Sequence, residues 1–125
     1  MKRNLILLIA LVLSCAMILA MTNRMNRHHI GCFLLEDCSY YLRNFKVDIV
    51  TSPVETYEDA CSAAEEVWRE IFSRDKKKIM KYTVLFDSEN QVWWVIGSKS
   101  INTFGGSPNL LVQTDGKVLA VWHDK

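Results

Sequence analysis

The stretch that most limits what this chain can become is residues 91–125, QVWWVIGSKSINTFGGSPNLLVQTDGKVLAVWHDK. Residues 92–96 are an unbroken apolar run with two adjacent tryptophans, Trp93 and Trp94. A run without alternation suits a strand buried on both faces better than one with a solvated side. Gly97 and the Gly105-Gly106 pair punctuate it. Two more strand-like runs, residues 110–114 and 117–122, flank Asp115-Gly116. Asp-Gly between such runs predicts a hairpin with a type I′ turn, which needs positive φ at both central residues. Three antiparallel strands result, with the preceding chain packed against one face. Residues 82–86 alternate weakly and predict a further strand, joined to Val92 through a turn at residues 87–90.

Residues 52–73 hold the strongest helical signal. Tyr57, Cys61, Ala64, Trp68 and Ile71 recur at helical spacing and form one apolar stripe, which Phe72 widens. Two starts compete. Ser52 can cap a helix opened by Pro53 with Glu55 as its capping-box acid, and Thr56 with Asp59 offers the same device one turn later. Trp68→Ala is expected to cost about 3–5 kcal/mol, enough to unfold a domain this small. Residues 33–45 predict a shorter helix through Leu34, Leu35, Tyr41, Leu42 and Phe45, and residues 47–50 a short extended piece. Helices first and strands last define an α+β domain: one or two helices packed on a curved antiparallel sheet of about four strands.

Charge is unevenly laid out along the long helix. Glu55, Glu58, Asp59, Glu65, Glu66 and Glu70 face outward against a single Arg69. Arg74, Lys76, Lys77, Lys78 and Lys81 follow, opposed only by Asp75. A helix obeying its dipole explains that order, acids early and bases late. The sharper alternative is an acidic surface beside a basic patch that docks a charged protein partner.

The chain starts differently. Lys2 and Arg3 precede residues 5–21, seventeen residues without a charge. A basic start before an apolar core is the pattern of an export signal, and its length is at the short limit for a membrane-spanning helix. Three outcomes are open. Ser14 and Ala16 are small and spaced for cleavage after Ala16; Val12-Leu13-Ser14-Cys15 resembles a lipoprotein box with Cys15 lipidated; and the segment can stay as an anchor with Lys2 and Arg3 in the cytoplasm. Each places the folded part in the cell envelope, facing the periplasm or the exterior; a cytoplasmic protein with a misleading start is the remaining alternative. Residues 1–21 are thus read as signal peptide or anchor, 22–32 as a linker and 33–125 as the domain.

Composition excludes some classes. Net charge is +1, and removing Lys2 and Arg3 from the 15 bases leaves 13 against 14 acids. That balance provides no basic face for a nucleic acid. His28 and His29 near Cys32 and Cys38 match no zinc spacing, so no metal is expected there. One disulfide among Cys32, Cys38 and Cys61 would suit an oxidising compartment. No paired base marks any of the three as a nucleophile, and structural roles are expected for all.

A set of ordered motifs remains. Ala64 to Trp68 reads A-E-x-V-W and Trp94 to Gly97 reads W-V-I-G; Gly105-Gly106, an apolar strand, the D-G-K of Asp115 to Lys117 and a terminal His123-x-Lys125 follow. The pattern, strongest over residues 58–125, resembles the small bacterial immunity proteins with a nuclear transport factor 2-like fold. The resemblance implies a non-enzymatic antidote without cofactor, encoded beside a polymorphic toxin that it binds stoichiometrically and blocks. An interface of roughly 1,600 Å² suffices if a few residues anchor it. Residues the fold need not use internally are the candidates for that contact: Lys99, Asn102, Phe104 and Asn109 around the glycines, and Trp122 and His123 near the end. For Phe104 the competing role is a loop plug into the core, and for His123 a strand-end hydrogen bond. Two other functions stay open. An envelope-anchored binding or inhibitor module needs no toxin, and an enzyme of the same fold type would have Tyr82, Asp87 and His123 as its pocket groups.

Overall fold

A computed structural model of the chain describes residue 4 and residues 28–72, 79, 81–98 and 106–124. Its elements are a three-residue strand β1 (Ile30–Cys32), a 3-10 turn (Leu35–Cys38), helix α1 (Ser39–Asn44), the long helix α2 (Tyr57–Ile71), and strands β2 (Lys81–Asp87), β3 (Val92–Ser98), β4 (Pro108–Gln113) and β5 (Val118–His123). The sheet order is β1-β2-β3-β4-β5. Neighbours are antiparallel except β1, which runs parallel to β2 with Gly31 opposite Leu85.

Strand β1 corrects one expectation: the sheet has five strands rather than about four, and the fifth, Ile30–Cys32, lies within residues 22–32. A three-residue parallel edge strand has no local turn to announce it, because its partner lies a long crossover away.

Both faces of the sheet are covered, which corrects the expectation of packing on one face. Successive side chains of a strand point to opposite sides. Trp93 and Val95 therefore join Val84, Leu110, Val112, Val118 and Val121 under α2, while Val92 and Trp94 join Leu111, Ala120 and Trp122 under the 3-10 turn and α1. A strand that is apolar at every position demands this arrangement. Strand β5 meets the same demand with an irregularity. Leu111 lies opposite Ala120 but Val112 opposite Val118, so Leu119 is an extra residue. The bulge keeps Val118 and Val121 under α2 and turns Ala120 and Trp122 to the other face.

Helix α2 uses the later of the two starts. The Thr56 side chain accepts from Asp59 N–H at 3.1 Å, and Asp59 Oδ2 accepts from the Thr56 backbone at 3.1 Å. The earlier start fails because its backbone is committed elsewhere. Val54 N–H donates to Thr114 O at 2.9 Å, and Val54 O accepts from the Trp93 indole at 3.0 Å. The apolar stripe is also rotated from the expected one. Ala60, Ala63, Ala64, Val67 and Trp68 are buried, whereas Tyr57 and Cys61 are half-buried and Ile71 is exposed. Three alanines let the helix axis approach the sheet closely.

The β4–β5 connection corrects the type I′ turn. Gly116 N–H donates to Gln113 O at 2.9 Å and Gln113 N–H to Lys117 O at 2.9 Å. Only Gly116 has positive φ, +96°, so this is a type I turn closed by a glycine in the left-handed region. A Cβ at Gly116 would also run into the Thr51 carbonyl. The expected extended piece lies along the outer edge of β5: Val118 N–H donates to Ile49 O at 3.0 Å and Val121 N–H to Phe45 O at 3.1 Å, with Val50 bridging Lys117.

Residues 5–21, with their signal, anchor and Cys15 lipidation readings, lie outside the described residues. Among the described residues no helix is long and apolar enough to cross a membrane.

Candidate partner-binding surface

Of the six residues expected to contact a partner, Lys99, Asn102 and Phe104 lie outside the described residues. Asn109 and Trp122 are interior, at 1% and 3% exposure. The reading that the fold has no internal use for them is therefore corrected, and the reason is hydrogen bonding. Asn109 Oδ1 accepts from the Trp94 indole at 2.9 Å, and its Nδ2 donates to Ser107 O at 3.0 Å and Asp124 Oδ2 at 3.1 Å. The other oxygen of Asp124 accepts from the Trp122 indole at 3.2 Å, and the Asn109 carbonyl accepts from the Trp68 indole at 3.2 Å. With Trp93 bound to Val54, all four indoles have acceptors, as buried N–H groups require. The sequence carried a signal for this: a lone Asn inside S-P-N-L-L-V is a polar group in a buried strand and must be satisfied.

His123 is half-buried at the end of β5. A carbonyl can only accept, so its Nδ1–H donates to Gly106 O at 2.9 Å. Its ring meets Phe72 edge-on, centroids 4.2 Å apart. Gly106 also packs so closely on Asp124 that a Cβ would overlap the Asp124 carbonyl. Asp124 N–H adds a bond to Ser107 O at 2.9 Å. Gly106 and Ser107 are thus stapled to the end of β5, where His123 meets Phe72 just after α2.

The outer face of α2 is the charged surface. Glu58, Glu65, Glu66, Glu70 and Arg69 are exposed, and the opposite side of the helix is buried. The Tyr82 hydroxyl donates to the Glu65 carboxylate. Burial first, then that hydrogen bond and charge, push the Tyr82 hydroxyl well up from its ordinary value. His28 forms an ion pair with Glu58 at 3.5 Å. Among the described residues, no ion pair reaches Glu66 or Glu70.

The three groups considered for an enzyme pocket do not share a face. Tyr82 packs on the α2 side of β2, and strand alternation sends Asp87 to the other side. The Asp87 carboxylate is saturated: Oδ1 accepts from Glu89 and Asn90 N–H, both at 3.0 Å, and Oδ2 from Asn90 Nδ2 at 2.9 Å and Leu35 N–H at 2.8 Å. These bonds, the Asn90 side chain first, pull its pKa down to about 2. Such a group is an anchor for the turn and for Leu35 rather than a base.

Cys32, Cys38 and Cys61 are free thiols in this structure. Burial raises the Cys38 thiol and pushes Cys61 up to about 11. Both stay protonated at neutral pH and are poor nucleophiles. Among the described residues no cluster of three or more His, Cys, Asp or Glu side chains could hold a metal ion.

A five-stranded sheet with a long helix across one face and a short one on the other defines a small α+β domain of the nuclear transport factor 2-like kind. The family model described as NTF2 fold immunity protein matches residues 59–125, just over half of the chain, and the protein belongs to that family. The match opens at the capping-box residue Asp59 and takes in α2 and strands β2 to β5. Comparison with curated proteins and with solved structures gives no match.

Proposed function

We propose that this protein binds a cognate bacterial toxin one-to-one and blocks it without catalysis, docking through the acidic outer face of α2. The carrying observation is that face: Glu58, Glu65, Glu66 and Glu70 stand exposed on a helix whose other side is fully seated. A rigid surface with four carboxylates against one arginine selects a basic partner and speeds encounter with it. Phe72, His123 and Gly106 join the end of α2 to the end of β5. Lys99, Asn102 and Phe104, by sequence, are the remaining contact candidates, since Asn109 and Trp122 are interior.

The same proposal places the protein in the cell envelope through residues 5–21, by cleavage after Ala16, lipidation at Cys15 or retention as an anchor. Fractionation that recovers the folded part in the cytosol would refute the envelope placement alone.

The test of function is co-expression with the product of the neighbouring reading frame. A single 1:1 complex and protection of the cell are expected. Equal killing with and without this protein would remove the proposal.

A further inference from the structure

The outer side of β1 is the one rim of the sheet left unpaired among the described residues. On the opposite rim, the Ile49 and Phe45 carbonyls already take the Val118 and Val121 N–H groups. An unpaired rim offers backbone N–H and C=O groups that a further strand can complete, and proteins usually guard it with charge or proline. Residues 29–35 read H-I-G-C-F-L-L, without Lys, Arg, Asp, Glu or Pro. Shortness is the guard that remains, since β1 makes three register pairs with β2. Apolar surface lies along this rim. Leu34, just past the strand, is 49% exposed, and half-buried Leu85 fills the place a Cβ on Gly31 would take. The other face of β1 leads to α2. Ile30 packs on the α2-side core, and two residues earlier His28 stacks on Tyr57 with its Nε2 3.5 Å from Glu58 Oε1.

We propose that β1 receives one extended strand of the toxin, with basic side chains where that strand faces α2 and apolar ones where it faces Leu85. This pairing rests on the toxin-binding reading above and adds backbone hydrogen bonds to the acidic docking face. In strand addition the main-chain bonds supply affinity, and alternate side chains supply specificity. On one side of an added strand stands Glu58, whose side chain is 68% exposed, with Glu65 two turns further along α2. A Lys or Arg on that side gains a charged partner. On the other side bare Gly31 leaves a path to Leu85, which suits an apolar side chain.

A second copy of the chain fits this rim less well. Antiparallel pairing of β1 with itself about a two-fold axis keeps both α2 helices on one face of the joined sheet. Glu58, Glu65, Glu66 and Glu70 of both copies then share that face, like charge beside like charge. Three register pairs also bury far less than the roughly 1,200 Å² of a stable specific interface. A basic toxin meets neither obstacle, because it covers the outer face of α2 as well as the rim.

The full chain mixed with the purified product of the neighbouring reading frame tests this by nuclear magnetic resonance and amide exchange. Cross-strand nuclear Overhauser contacts between the β1 backbone and the toxin backbone are expected. The outward amides among Ile30, Gly31 and Cys32 should gain about tenfold protection or more at saturation. Cys32 is exposed, and Cys32→Lys puts a basic guard on the rim; it should weaken binding at least about tenfold with an unchanged melting temperature. Val50→Lys on the sealed rim, where Val50 is 72% exposed, should bind as the natural chain does. A complex that forms without β1 backbone contacts, or that tolerates Cys32→Lys, overturns the added strand and leaves toxin binding standing. Contacts from β1 to a second copy of this chain overturn it as well. Failure of the natural chain to form any complex removes both readings.

Discussion

The indole N–H of Trp94 on β3 donates to Oδ1 of Asn109 on β4 at 2.9 Å, and the same amide reaches across to Asp124 at the far end of β5 at 3.1 Å. One side chain thus ties three successive strands on the face covered by α1. Asn109→Leu keeps the branched shape but strands the Trp94 indole and removes the link to Asp124. A buried donor left without an acceptor costs about 1–3 kcal/mol, so a loss near the upper end is expected. Urea unfolding should show a lower midpoint at unchanged slope.

Acid should weaken the fold through Asp87. Its folded pKa of about 2 lies below the ordinary 3.8, so the ionised form stabilises the native state. That contribution is complete above about pH 4 and is lost as pH falls through 2. Asp87→Asn has no such ionisation. The stability gap between the natural chain and Asp87→Asn should shrink from pH 5 to pH 2 in urea titrations. A gap that stays constant would remove the role given to the Leu35 and Asn90 bonds.

Gly116→Ala faces two penalties together. The backbone there sits at φ +96°, and the new methyl meets the Thr51 carbonyl. Alanine at positive φ is disfavoured even in open space. A loss of about 2 kcal/mol is expected, which would lower the melting temperature by roughly 10 °C for a domain of this size. Calorimetry on the purified variant decides it.

Charge reversal on the outer face should separate binding from folding. Glu66 and Glu70 are exposed on α2 and have no ion-pair partner among the described residues. Glu66→Lys with Glu70→Lys is expected to change stability by no more than about 0.5 kcal/mol per site. Binding to the cognate toxin should fall at least about tenfold, chiefly in the association rate, with a weaker salt dependence. Unaltered association kinetics would move the interface off this face.

The elements legible in the sequence were those with a local signature. The long helix announced itself by its apolar period, the β2–β5 meander by its runs and turns, and the acidic face by helical spacing. The choice between Ser52 and Thr56 as helix start was not local, because hydrogen bonds from Val54 to Thr114 and Trp93 decided it. Strand β1 was invisible for the same reason, since its partner is Val84 to Phe86. Of the surface, Glu58, Glu65, Glu66 and Glu70 were readable one by one. Asn109 is polar and Trp122 lies near the end of the chain, yet both are interior, because each completes the bonding of an indole or a carboxylate.

The chain from Phe45 to Thr51 occupies the outer rim of β5, taking the N–H groups of Val118 and Val121. Among the described residues that leaves β1 as the sole rim with no neighbour. A sheet sealed on one side can be lengthened once, from the other, and cannot propagate, because endless stacking needs two open rims on every copy. Any assembly built by strand addition on this protein therefore stops at a single added strand or at a pair of copies joined β1 to β1.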